Sequence, residues 1–174
     1  MPAPLTTCPP QPTPDRPPAH PTPETLAYSF TLPAASYSPA IIRAATRTIL
    51  RAHGLEDVTD AAVQVVSELA SCACRFTTTE VYVSLRYRDR ALRVTLYDGH
   101  PDHSGRHATS VCEARRRAAL RVLSAVVKAC SGAWGFGGAS EPAWGTRMWV
   151  VLPREGARAY LTEPRERPTG NPPV

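Results

Sequence analysis

The stretch VYVSLRYRDRALRVTLYDG, Val81 to Gly99, decides the fold. Val81, Val83, Leu85 and Tyr87 alternate with polar residues, and Leu92, Val94 and Leu96 do the same after Arg88, Asp89 and Arg90. A period of two marks strands with one buried face, and a short polar break between two such runs marks a hairpin turn. A hairpin with one apolar face needs a second layer to cover it.

That layer is sought on both sides of the hairpin. Upstream, Tyr28 to Leu32 alternates and stops at Pro33, which predicts a first strand. Ser38-Pro39 then supplies a cap and a first-turn proline for a helix carrying Ile42, Ala45 and Ile49, closed by Gly54. A second helix is predicted from a cap at Thr59, with Ala62, Val66, Leu69 and Ala73 on one face. Downstream, a polar loop with His100, His103 and His107 leads to an arginine-rich helix from about Glu113 to Cys130, with Val122, Leu123, Val126 and Val127 as its apolar face. Trp134 and a Gly137-Gly138 turn precede a last buried strand, Met148 to Leu152. Trp134, Trp144 and Trp149 read as core or sheet-face packing. The fold class is therefore α+β, a two-layer α/β sandwich with helices on one face of a mostly antiparallel sheet.

The ends differ in composition. Ten of the 19 prolines lie between Pro2 and Pro23 without apolar periodicity, so residues 1–25 read as a disordered Pro-rich arm. Residues 26–153 form the folded domain, and 154–174, again proline-rich, read as a disordered tail. With 174 residues and 43% apolar composition, one core is expected. No run approaches the roughly 20 apolar residues of a membrane span, and no signal pattern opens the chain, so a cytoplasmic protein is expected. The five cysteines follow no framework spacing, which suits free thiols. A net charge of +5, almost all of it arginine, is modest and distributed, and reads first as solvated surface.

The residues at the element junctions suggest a family. Val65 to Leu69, with Glu68 inside it, resembles the signature helix of the GHKL (histidine-kinase-like) ATPases. Tyr97-Asp98-Gly99 is similar to their adenine-binding strand end, and Trp144-Gly145-Thr146-Arg147-Met148-Trp149 to their last motif. Trp134-Gly135 stands where the family often has Trp-Gly, and Phe30 to Pro33 with the compact length resembles most the serine/threonine-kinase anti-sigma factors. The resemblance spans about Tyr28 to Pro153 and implies a Bergerat-type ATP-binding fold.

It also implies roles. Glu68 would be the general base, needed near the γ-phosphate to polarise a hydroxyl or water. Asp98 would accept a hydrogen bond from the adenine amine, assisted by Thr146, with Gly99 and Gly145 at the same pocket. Where the family has a magnesium-binding asparagine, this chain has Cys72, a soft ligand ill-suited to magnesium. His100 replaces a glycine, and Arg121, Val122 and Leu123 replace a Gly-x-Gly phosphate turn. Arg115, Arg116, Arg117 and Arg121 could offset part of that loss by binding phosphate.

The expectation is a regulatory protein with this fold that acts by protein–protein binding in transcriptional or developmental regulation, with ATP and Mg use weakened or lost. Its partner would be a sigma factor, an anti-sigma antagonist or a second copy of itself, and not a membrane. The alternatives are an active ATP-dependent serine/threonine kinase using Glu68, and a DNA-binding regulator using the arginine helix; no recognised DNA-binding motif accompanies those arginines. His100, His103, His107 and Cys112 match no strong zinc spacing, and Cys72 and Cys74 stand about 200° apart on a helix. No metal site is assigned to them; the histidines read as a polar loop.

Overall fold

A computed structural model of the chain describes residues 20–100, 103, 105–139 and 145–160. Five strands, β1 (Ala27–Pro33), β2 (Glu80–Arg88), β3 (Ala91–Asp98), β4 (Ala133–Ala139) and β5 (Gly145–Pro153), form one sheet in the order β1-β2-β3-β5-β4. Every neighbouring pair is antiparallel. With the helices α1 (Ser38–Ala52), α2 (Thr59–Phe76), α3 (Arg106–Ala119), α4 (Arg121–Ala129) and α5 (Arg154–Ala159), this is an α+β fold.

The hairpin at its centre is β2–β3, and Asp89 and Arg90 turn it with φ of 54° and 56°, the left-handed pair of a two-residue type I′ connection. Val83, Leu85, Val94, Leu96, Met148 and Val150 point to the buried face, each 1% exposed or less. Against them pack Val65, Leu69 and Ala73 of α2 with Leu123 and Val127 of α4, in one continuous cluster. The opposite sheet face carries Tyr82, Arg86, Tyr97, Arg147 and Trp149, exposed or half-buried. Trp134 packs against the core edge, as sheet-face packing requires, while Trp144 lies outside the described residues.

Helix ends follow local chemistry, with two departures from the sequence reading. Gly54, at φ +64°, closes α1: the Leu55 N–H reaches the Leu50 carbonyl at 2.9 Å and the Gly54 N–H reaches that of Arg51 at 3.2 Å, a Schellman ending. At the other end Ser38 does not cap α1; its hydroxyl donates to the Pro33 carbonyl at 2.6 Å, tying the helix to β1. Thr59 likewise donates back to Leu55 rather than capping α2.

The arginine-rich helix is two helices. It starts at Arg106, seven residues before the expected Glu113, so His107 is helical rather than in a loop. It breaks at Leu120, whose φ and ψ are −94° and 18° and whose N–H is shared between the Arg116 and Arg117 carbonyls. Leu120 is fully buried, and the break lets α4 lay Leu123, Val126 and Val127 on the sheet while α3 stays at the surface. Gly137 and Gly138 lie within β4, not in a turn.

After β5, where the sequence suggests a tail, α5 packs instead. Ala157 is buried, Arg154 Nε donates to Asp57 Oδ2 at 2.9 Å, and a Cβ at Gly156 would run into the Cys130 carbonyl. The arm before His20 and the chain from Leu161 lie outside the described residues. Among the described residues no helix is long and apolar enough to cross a membrane.

Candidate functional site

Strands β3 and β5 run antiparallel and end together, which places Asp98 directly opposite Thr146. Gly145 makes the join feasible: its φ is 121°, a region L side chains avoid, and a Cβ there would strike the Asp98 carbonyl. Gly99 has a packing reason of its own, since a Cβ would meet Thr79 Oγ1 at 2.5 Å. The two strand-end motifs are thus neighbours in space, set by register alone.

What fills the site comes from α3. Arg116 is 2% exposed, and its Nη1 donates to Asp98 Oδ2 at 2.7 Å. The guanidinium lies over the Phe76 ring, 4.3 Å from its centroid, and Nη1 also approaches Met148 Sδ at 3.5 Å. The other carboxylate oxygen, Oδ1, accepts the His100 backbone N–H at 3.1 Å. Asp98 itself is 1% exposed. Two charges so deeply buried are tolerable only when paired, and the second donor and the aromatic face complete the arrangement. Arg116 Nη2 has no hydrogen-bond partner among the described residues.

Cys72 lies beneath this pair. Burial pushes its thiol up to about 11, against the opposing pull of Arg116, so it remains protonated at neutral pH. A buried, protonated thiol offers nothing to a hard cation.

Beside the pair lies a cavity of about 320 Å³, walled by His100, Cys112, Arg116, Phe136, Gly138 and Thr146 among others. Glu68 is not in that wall. It is half-buried on α2 and accepts a hydrogen bond from Gln64 Nε2 at 3.0 Å. Arg121 is exposed at the start of α4, where its Nε donates to the Ala118 carbonyl at 3.3 Å. Arg115 and Arg117 are exposed too, the latter resting its guanidinium on the Phe136 ring. The structure therefore gathers Asp98, Gly145 and Thr146, adds Arg116, and leaves Glu68 and Arg121 outside.

The residues present do not fit Mg-ATP in the manner the resemblance implies. Asp98 has a donor on each oxygen and no exposed face for an adenine amine. The segment where the resemblance expects a glycine phosphate turn, Arg121 to Leu123, is the first turn of α4, with Arg121 and Val122 exposed and Leu123 buried against the sheet.

By residue type alone Arg116 is one of four equivalent arginines with Arg115, Arg117 and Arg121. A signal was present: Cys112, Arg116, Leu120, Leu123 and Val127 fall at four-, four-, three- and four-residue steps, a single helical stripe that only Arg116 among those arginines joins. His100, His103 and Cys112, whose spacing in sequence matches no strong zinc pattern and reads as a polar loop, come together in space. Cys112 Sγ lies 3.1 Å from His100 Nε2, which lies 3.2 Å from His103 Nε2. His107 does not join them in that set.

No protein-family model matches the sequence, and no curated protein matches it either.

Proposed function

We propose that the protein is a regulatory binding protein on an anti-sigma-factor-kinase-like ATP-binding fold, in which ATP and Mg use has been weakened or lost. It acts in the cytoplasm, in transcriptional or developmental regulation, by holding a protein partner. The observation that carries this reading is the buried Asp98–Arg116 pair, an internal cation standing on the carboxylate that the resemblance assigns to adenine. The facing positions of Asp98 and Thr146 support the ancestry, and the protonated Cys72 supports the loss of magnesium use. Helix α3 supports a binding role. Arg116 is its one buried side chain, so Arg106, Arg115 and Arg117 face outward and suit an acidic protein surface.

The test is thermal unfolding with and without millimolar Mg-ATP. A ligand at about 100 times its Kd adds roughly 2.7 kcal/mol of stability. No shift is expected. A shift of that size, abolished by Asp98→Asn, would overturn the proposal in favour of an active nucleotide site.

A further inference from the structure

We infer that His100, His103 and Cys112 form a binding site for a thiophilic divalent cation of the zinc type, with three protein ligands and a fourth position open to the neighbouring cavity. The inference does not depend on the nucleotide reading.

The first support is orientation. His100 Nδ1 lies 2.8 Å from the Phe76 carbonyl, and a carbonyl only accepts, so Nδ1 carries the ring proton. Nε2 is then the bare nitrogen. It is turned toward His103 and Cys112 by that bond and by a T-shaped contact with the Phe76 ring, 5.7 Å away between centroids. A histidine whose far nitrogen is anchored on a backbone carbonyl is the usual supporting arrangement for a metal ligand.

The second support is crowding around one lone pair. His103 Nε2 at 3.2 Å and Cys112 Sγ at 3.1 Å both address the single lone pair of His100 Nε2. One sp² lone pair serves one donor well, not two. A shared cation removes the conflict. Tetrahedral zinc with nitrogen at about 2.0 Å and sulfur at about 2.3 Å sets its donors roughly 3.3 to 3.6 Å apart. The three ligand atoms here all lie within 4.8 Å of one another, so small rotations of His103 and Cys112 close the set.

The donor chemistry selects the ion. Two imidazoles and a thiolate suit zinc or cobalt and disfavour magnesium or calcium. On binding, Cys112 releases its thiol proton to solvent as the sulfur–metal bond forms, so affinity falls as pH falls. The fourth position faces the cavity walled by Thr109, Phe136 and Thr146 and takes water. The ion would tie the segment after β3 to α3, with His100 braced on the last residue of α2.

The experiment is titration of the reduced full chain with Co²⁺. Expected are one equivalent bound, a thiolate-to-cobalt charge-transfer band in the near ultraviolet, intense four-coordinate bands in the visible, and displacement of both by Zn²⁺. Cys112→Ser should abolish the charge-transfer band. His103→Ala, at an exposed side chain whose loss leaves the core untouched, should weaken cobalt binding tenfold or more. His107→Ala and the pair Cys8→Ser with Cys74→Ser should leave the titration unchanged. Absence of the band at stoichiometric cobalt, its survival in Cys112→Ser, or unweakened binding by His103→Ala would overturn the inference.

Discussion

Helices α2 and α3 both reach the same strand end and are held there by opposite means. Nine of the 18 residues of α2 are buried, all apolar or thiol, and eight of them belong to the central cluster. Of the 14 residues of α3 one is buried, and it is a charged one, Arg116. Burial of aliphatic surface is non-directional and holds α2 whatever the state of its neighbours. α3 has a single buried anchor, the Asp98–Arg116 ion pair with its particular geometry, beside the surface contact of Arg117 with the Phe136 ring. The difference teaches that global stability and the shape of the site are separately controlled: α2 carries the first, and the Asp98–Arg116 contact carries the second.

The strongest way to break this contrast is to remove the carboxylate. Asp98→Ala leaves a buried guanidinium uncompensated and is expected to cost about 3–5 kcal/mol, read from urea unfolding. Amide exchange should show α3 losing protection while α2 stays closed. A loss below about 1 kcal/mol would mean that α3 is held by something other than the pair.

Alkaline pH sharpens the contrast from the side of α2. Cys72 has its thiol raised from 9.0 to about 11 by burial, so the folded state keeps a proton that the unfolded chain releases. That contribution is complete below about pH 9 and is lost as pH rises towards 11, a decline of roughly 2–3 kcal/mol. Burial pushes Cys74 and Cys130 in the same direction. Denaturation midpoints between pH 8 and 11 should fall, and Cys72→Ala should flatten part of the slope. A midpoint independent of pH over that range would contradict the burial assigned to Cys72.

The smallest effect is expected on the outer face of α3. Arg115→Ala should change stability by less than about 0.5 kcal/mol, because the side chain is exposed and makes no buried contact. A larger loss would show that α3 is anchored along its length.

The same contrast explains what was readable in the sequence. Where burial dictates position, pattern and structure agree: the alternation from Val81 to Leu96 and the stripe through Ala62, Val66, Leu69 and Ala73 appear as β2, β3 and α2. Three-dimensional pairing was legible only where a motif hinted at it, as with Asp98 and Thr146. The break at Leu120 was hidden because good helix formers lie on both sides of it, and only the demand that α4 reach the sheet imposes it. The His100, His103 and Cys112 cluster was hidden for a related reason. Its spacing is set by the chain leaving β3 and re-entering as α3, not by a local repeat. Packing of α5 was masked by a charged, glycine-containing sequence whose Gly156 serves close approach rather than flexibility.

The turn at Asp89 and Arg90 has a consequence for engineering. Two successive side-chain-bearing residues in left-handed conformation cost about 1 kcal/mol or more each, and the strands around them are held by a core that tolerates the expense. The tip is therefore a reserve of unclaimed stability far from the Asp98 end of the same hairpin. Asn-Gly at these two positions should raise the melting temperature without altering cobalt or nucleotide behaviour, and an unchanged melting temperature would show the turn to be relaxed as it stands.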